Sequence, residues 1–376
     1  MNTKYSNLFE SLTFKNGITI KNRVVMAPMT TWASNDDYTI SDEEAAYYKK
    51  RVNGVGLVIT GCTHVQPNGI GFTHEFAAYD DSFIPSLRKL ADAAKSGGAP
   101  AILQIFHAGN KALPDLTPNG DIVSSSAVET EATAFAPSVL PRELSHDEIV
   151  DVIHAFGETT RRAIEAGFDG VEIHGAHGFL LQNFFSPFFN RREDQWGGSL
   201  ENRLRFPLAV VQEMKNVIKK HATKPFILGY RISPEESEEG GLRMKDTYAL
   251  IDRLVEQDVD YIHASLADAL SSLPVDSQEK TYLELLVDHV NGRVPLLAAG
   301  SMVTPDDVAQ ALDKGLTLAA IGHGLIMNPD WVEKVQNGQE SEIQTAIKAS
   351  NVRELELPEK LWGIIQASGP WFKIEE

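Results

Sequence analysis

His174-Gly-Ala-His177 places two imidazoles three residues apart, close enough in the chain to face one point. As neutral donors they would hold an oxygen on which negative charge develops. The spacing also suits a metal ion, although a ligand set normally recruits a third histidine or a carboxylate. A plain structural pair is the third reading, and spacing alone leaves all three open. Among nearby acids, Glu172 shares the strand parity of His174 and Asp169 does not. Gly300-Ser301 and Gly322-His323-Gly324 offer glycine where a backbone must approach an anion closely, or where it simply turns. Between Asn190 and Arg203, paired charges, a double glycine and a helix cap at Ser199 read as a hydrogen-bonded loop over the site.

These residues need a frame that gathers them. Short apolar runs recur at Val24–Pro28, Val55–Thr60, Ala101–Ile105, Gly170–His174, Phe226–Arg231, Tyr261–Ala264, Val294–Ala299 and Leu318–Gly322. Each has the length and Val, Ile or Leu content of a strand buried on both faces. Helical periodicity fills the gaps: Ile149, Val152, Ile153, Phe156, Ala163 and Ile164 share one face. Ser145 with Glu148, and Ser41 with Glu44, read as capping boxes, and Thr304-Pro305 followed by Asp307 reads as a third helix start. Eight strands alternating with about eight helices predict an α/β fold, a (β/α)8 TIM barrel, with a doubly wound sheet as the competitor. The placement of Pro28-Met29-Thr30, Gly61, Gln104, His174, Arg231, Gly300 and Gly322 favours the barrel. All lie at the C-terminal ends of runs, where barrels build active sites.

Two stretches break the alternation. Residues 109–145 carry no clear helix and read as a lid-like capping insertion after the third strand. Residues 340–376 read as a helix, a break at Pro358, a second helix and a tail ending Gly369-Pro370-Trp371-Phe372. No linker divides the chain, so a single domain over 1–376 is expected.

The sequence has 376 residues, with 52 Asp and Glu against 34 Lys and Arg, a net charge of −18. Such a surface repels phosphate backbones and anionic lipid, so neither nucleic acid nor membrane is an expected partner. Cys62 is the single cysteine, which excludes disulfides and iron–sulfur clusters held by this chain alone. The polar start, with no apolar signal-peptide core, points to a cytoplasmic location. No metal is expected.

Within the barrel frame the glycine clusters fall after the seventh and eighth strands, where barrels commonly bind phosphate. A phosphate there, with Gln104 and Arg231 deeper in the mouth, leaves room for a flat, polar, anion-prone ring. That combination fits flavin mononucleotide, FMN, with Arg231 stabilising negative charge on the reduced ring.

Five blocks then match in order. Val25–Thr30, Gln104–Gly109, Gly170–His174, Leu180–Pro187 and Arg192–Arg203 resemble the old yellow enzyme family of FMN-dependent oxidoreductases, along essentially the whole chain. The resemblance implies tightly bound FMN across the mouth. Pro28, Met29 and Thr30 would line one flavin edge, with Gly61 giving backbone contact there. Gln104 and Arg231 would hold the pyrimidine side, and Gly300, Ser301, Gly322 and His323 the phosphate. It also implies an NAD(P)H-dependent ene-reductase: NADPH or NADH gives hydride, and a small-molecule α,β-unsaturated carbonyl substrate receives it while His174 and His177 bind its oxygen. Thr30 would bond the flavin carbonyl beside the reactive nitrogen. Trp32 would wall the substrate pocket, or be a packed loop aromatic. Family members assemble as dimers or tetramers, so a homodimer or homotetramer is expected, with the Trp371-Phe372 tail able to cover a neighbour's site.

Three positions depart from the family pattern. Phe179 stands where reductases usually carry the tyrosine that protonates the substrate, and phenylalanine has no such proton. His263, at the end of the sixth strand, is a substitute donor facing the mouth or else a satisfied structural histidine. His323 replaces the usual arginine beside the phosphate, which predicts weaker or more pH-sensitive FMN retention. Thr30 replaces a redox-tuning cysteine of one bacterial class, a conservative change. Alternatives that keep the flavin are a dienoyl-thioester or quinone reductase and a low-turnover flavin-binding barrel. A phosphosugar-type barrel without flavin is the competitor from another class.

Overall fold

The computed structural model describes residues 3–133, 136–277 and 279–375. Eight strands close into a barrel in chain order: β1 (Val24–Met26), β2 (Leu57–His64), β3 (Ala101–Phe106), β4 (Gly170–Gly175), β5 (Ile227–Ile232), β6 (Tyr261–Ser265), β7 (Leu296–Ala299) and β8 (Leu318–Ile321). Every neighbouring pair is parallel. The fold is a (β/α)8 TIM barrel. Each predicted run contributes one strand, because a strand covered on both faces must be apolar throughout. The predicted boundary moves most in β2, which runs on to His64, with a bulge between Ile59 and Cys62.

Helices α1 (Asp42–Arg51), α2 (Ile84–Lys95), α3 (His146–Ala166), α4 (Leu180–Phe185), α5 (Leu200–His221), α6 (Met244–Glu256), α7 (Tyr282–Val290), α8 (Pro305–Asp313), α9 (His323–Met327), α10 (Trp331–Gln336) and α11 (Glu359–Ala367) complete the chain. At the start of α3 the box is reciprocal: Ser145 accepts the Glu148 N–H, and Glu148 accepts the Ser145 N–H at 2.7 Å. Gly167 ends that helix at φ +93°, a left-handed conformation suited to glycine. Thr304 and Asp307 form the same box before α8. At α1 only half forms. Ser41 accepts the Glu44 N–H, but the Glu44 carboxyl turns inward and takes the Thr31 hydroxyl.

Two apolar layers result. Val25, Leu57, Ile59, Ile102, Ile227, Leu297 and Leu318 fill the barrel interior, with Phe14 and Ile20 of an N-terminal hairpin packed among them. A second layer joins the outer strand faces to the helices, including Val152 and Phe156 of α3 and Val210 of α5. Burying each such side chain contributes about 1.5–3 kcal/mol.

The insertion at 109–145 has no α-helix among its described residues. It is built from short 3-10 turns and one parallel pair, Val123–Ser124 with Arg142–Glu143. Ala134 and Phe135, within it, lie outside the described residues. The loop after α4 pins the insertion down. Arg192 donates to the carbonyls of Ser125 (3.0 Å) and Leu144 (2.8 Å) and pairs with Asp194, so this charged loop braces the lid rather than forming the cavity wall.

The C-terminal extension differs from expectation. The first predicted helix is replaced by 3-10 turns at Glu340–Glu342 and Ala349–Asn351, and only α11 is an α-helix. Ile347–Lys348 instead pairs with Ile374–Glu375, a tertiary contact that overrides local helical propensity. That pairing folds the tail back across its own barrel: Trp371 meets Trp32 at 6.2 Å, and Phe372 meets His323 at 4.2 Å between ring centroids. In the single chain the tail therefore covers its own cavity.

Candidate active site

A cavity of about 720 Å³ opens at the C-terminal ends of the strands. Parallel register sets its polar floor. Gln104 on β3 lies opposite Glu172 on β4, and Arg231 on β5 lies opposite both His174 on β4 and His263 on β6. Glu172 sits one layer below the mouth, fully buried, and engages four groups. It accepts the Gln104 amide at 2.7 Å, the Tyr261 hydroxyl at 2.9 Å and His263 Nδ1 at 2.9 Å, with the Arg231 charge nearby. Burial pushes its carboxyl up, but the hydrogen bond from His263 Nδ1–H, the Arg231 charge and the Gln104 amide outweigh that, leaving the group below its ordinary value and ionised. Burial outweighs Glu172 at His263, which stays neutral. His263 is thus the satisfied structural histidine: it is 0% exposed and does not face the mouth.

Above this floor His174 and His177 stand with ring centroids 4.8 Å apart and planes at 74°. His174 Nδ1 accepts the Ala176 N–H at 3.3 Å, so in the neutral ring the proton sits on Nε2. Desolvation holds both imidazoles well below their ordinary values, reinforced by His177 and Arg231 for His174, and by Arg231 and Lys111 for His177. His177 is exposed only in the sense that its ring meets the open cavity; it also contacts the Ser265 hydroxyl at 2.7 Å, which accepts from Arg231 at 3.0 Å. Its φ of +59° is steadied by Ser233, which accepts its N–H, and by Lys111, whose ammonium donates to its carbonyl at 2.6 Å.

Every residue that the resemblance assigns to flavin or substrate lines this cavity except Gly61, and the substitute donor His263 lies below it. Pro28, Met29, Thr30 and Trp32 form one wall, and Gly300, Ser301, Gly322 and His323 the far end. Phe179 lies 4.9 Å from His174, ring to ring. Gly61 is held elsewhere. Its N–H donates to the Tyr48 hydroxyl at 2.8 Å, and a Cβ there would lie 2.6 Å from the Met29 carbonyl, so the glycine serves close packing of β2. Cys62 faces the cavity in its place, 3.5 Å from the Thr30 hydroxyl, its thiol pushed up by burial and inert. Tyr38 and Tyr79 pack on His64 away from the cavity. Lys111 and Ser265 also line the cavity and contact His177, and neither was singled out from the sequence. Lys111 follows the Gln104–Gly109 block by two residues, and Ser265 shares the strand parity of His263 one step nearer the rim.

No Asp or Glu is among the described residues lining the cavity, although the chain as a whole is strongly acidic. The model of the NADH:flavin oxidoreductase / NADH oxidase family matches residues 7–342. The chain belongs to that family. It is an NAD(P)H-dependent flavin oxidoreductase of the old yellow enzyme type. Among its relatives, a probable NADH-dependent flavin oxidoreductase, YqiG, of Bacillus subtilis (strain 168) is 45% identical over 372 residues, covering 99% of both chains. An NADH:fumarate oxidoreductase of Klebsiella pneumoniae (strain 342) is 38% identical across 96% of this chain, but this chain spans only 39% of that protein. Among solved structures, the old yellow enzyme from Trypanosoma cruzi superposes with a TM-score of 0.76 at 27% identity, covering 89% of this chain and 93% of that one.

The cavity fits the family's FMN on its own features. Gln104 gives its amide N–H to Glu172, so its carbonyl is left for a ring N–H. Arg231 keeps a buried Nε with no partner, a donor awaiting an acceptor. At the far end, a Cβ on Gly300 would lie 2.8 Å from both the Ala269 nitrogen and the Leu266 carbonyl, and Gly322 stands at the N-cap of α9. Among the described residues no helix is long and apolar enough to cross a membrane, and no group of three metal-ligating side chains occurs.

Proposed function

We propose that this enzyme reduces the C=C bond of α,β-unsaturated carbonyl compounds at the expense of NADH or NADPH. The observation that carries this reading is the pair of neutral imidazoles at the cavity, with His174 fixed as the Nε2–H tautomer. Gln104 and Arg231 would hold the ring of FMN and Gly300, Ser301, Gly322 and His323 its phosphate, and the flavin would supply the hydride chemistry. His174 and His177 hold the substrate oxygen and stabilise the negative charge that develops there as the β carbon is reduced. Neutral donors suit the task, since a charged imidazolium would have to be desolvated in this wall. Arg231 compensates charge on the pyrimidine side, Thr30 and Met29 shape the opposite edge, and Trp32 and Phe179 wall the substrate. Phe179 offers no proton, so water protonates the α carbon. The whole of 1–376 acts as one flavin-binding domain with the insertion and tail as its covers.

The test is a His174→Ala, His177→Ala double variant in anaerobic half-reactions. Reduction by NADH persists, whereas reoxidation by 2-cyclohexenone slows at least about 100-fold, the loss typical of an oxyanion donor. Wild-type reoxidation by the enone in that variant overturns the assignment.

A further inference from the structure

Lys111 ends the 3-10 turn Gly109–Lys111 that follows β3, and it lines the cavity beside the histidine pair. Its ammonium donates to the His177 carbonyl at 2.6 Å. A Cβ on Gly178 would lie 2.8 Å from Nζ, so the glycine leaves the ammonium its space. No carboxylate of the described residues forms an ion pair with it. The acids whose fields reach it are Glu236 and Glu238. Glu236 is already committed, accepting from Gln182, Ser186 and the Leu242 N–H. An ammonium has three N–H donors, and the His177 carbonyl uses one. The other cation of the wall, Arg231, is placed for the flavin. A half-buried positive charge in a cavity wall without acids is stabilised by an anionic group on what enters.

We propose that Lys111 is a carboxylate anchor, which makes the preferred substrate an activated alkene carrying a second, anionic group. Half-esters of butenedioic acid and 4-oxo-2-enoates belong to this class: one carbonyl rests on His174 and His177, and the carboxylate across the double bond meets Lys111. The proposal rests on the alkene-reductase reading above. Hydride from NAD(P)H and one proton from water add across the C=C bond, giving the saturated acid and NAD(P)+. Lys111 forms no covalent bond and reads charge.

Monomethyl fumarate and dimethyl fumarate share the alkene and the ester, and differ by one carboxylate. Intrinsic reactivity favours the diester, because a carboxylate withdraws electrons less than an ester does. With the holoenzyme and saturating NADH, kcat/KM is expected to be higher for the monoester. Lys111→Gln, which keeps a donor and removes the charge, lowers the monoester-to-diester ratio by about tenfold or more. Lys111→Arg keeps the preference. Flavin absorbance and thermal midpoint report whether each variant is folded and loaded. Reduction of both esters with a wild-type preference for the diester, or with a ratio unmoved in loaded Lys111→Gln, overturns the anchor and leaves the alkene-reductase reading standing. The wild-type ratio decides even where a variant does not fold. NADH oxidation with neither ester reduced overturns the alkene-reductase reading, and the anchor with it.

Discussion

Phe179 touches His174, Phe106 and Phe72 through its ring and lines the cavity. In Phe179→Tyr the added hydroxyl supplies an acid where the wild type relies on water. The expected outcome in stopped flow is a faster oxidative half-reaction with 2-cyclohexenone, by about tenfold or more, with reduction by NADH unchanged. An unaltered oxidative rate would show that protonation never limited the reaction. At this scale the sequence revealed the residues that sit at strand ends, because parallel strands of a barrel deliver their last side chains to one mouth. It could not reveal depth. His263 and Ser265 have the same parity, yet one is sealed against Glu172 and the other reaches the rim. Lys111 was illegible for a related reason: a lysine after a strand reads as solvated surface until the loop of His177 and Gly178 closes around it.

Helix α1 shows the same limit among elements. Ser41 and Glu44 have the spacing of a capping box, but Glu44 leaves the helix start and bonds Thr31 inside the protein. Spacing encodes the local option and cannot encode the competing hydroxyl. Burial pushes the Glu44 carboxyl up to about 8, against the pull of Thr31 and Lys89. The folded state therefore holds a proton that the unfolded chain, with an ordinary glutamate, releases near 4.5. Stability falls as pH rises between those values, by up to about 1.4 kcal/mol for each pH unit crossed. Glu44→Gln keeps the shape and the acceptor for Thr31 and removes the titration. Its thermal midpoint should gain on the wild type progressively from pH 5 to pH 8, read by calorimetry at matched ionic strength. Parallel curves would place the Glu44 ionisation elsewhere. The eight strands were legible because burial on both faces leaves an unbroken apolar signature, and α3 and α8 because their caps are satisfied locally. In the 340–376 extension the helix after Pro358 was legible, but the first half was not, since its form depends on Ile347 finding Ile374.

Across the whole molecule, charge and shape divide the work. The chain carries a strong net negative charge, while the mouth gathers Arg231, Lys111, His174, His177 and His323 and excludes carboxylates from its described wall. The insertion, braced by Arg192, and the tail, seated through Trp371 on Trp32, close over that mouth from two sides. The barrel was readable from the order of elements and the flavin from the residues at strand ends and the family blocks; the folding of the tail onto its own cavity was not, because nothing local says which mouth Trp371 meets. The relation between cavity and histidine pair is the claim on which the rest depends, and a phenol tests it without turnover, since its oxygen imitates the charge that builds on the substrate. Titrate FMN-loaded wild type and the His174→Ala, His177→Ala variant with a phenol, following flavin absorbance. Wild type should bind it, and the variant should keep its flavin while losing affinity at least about 100-fold, the worth of two hydrogen bonds to a charged oxygen. Equal affinity in the two proteins would contradict the placement of the histidine pair over the flavin site.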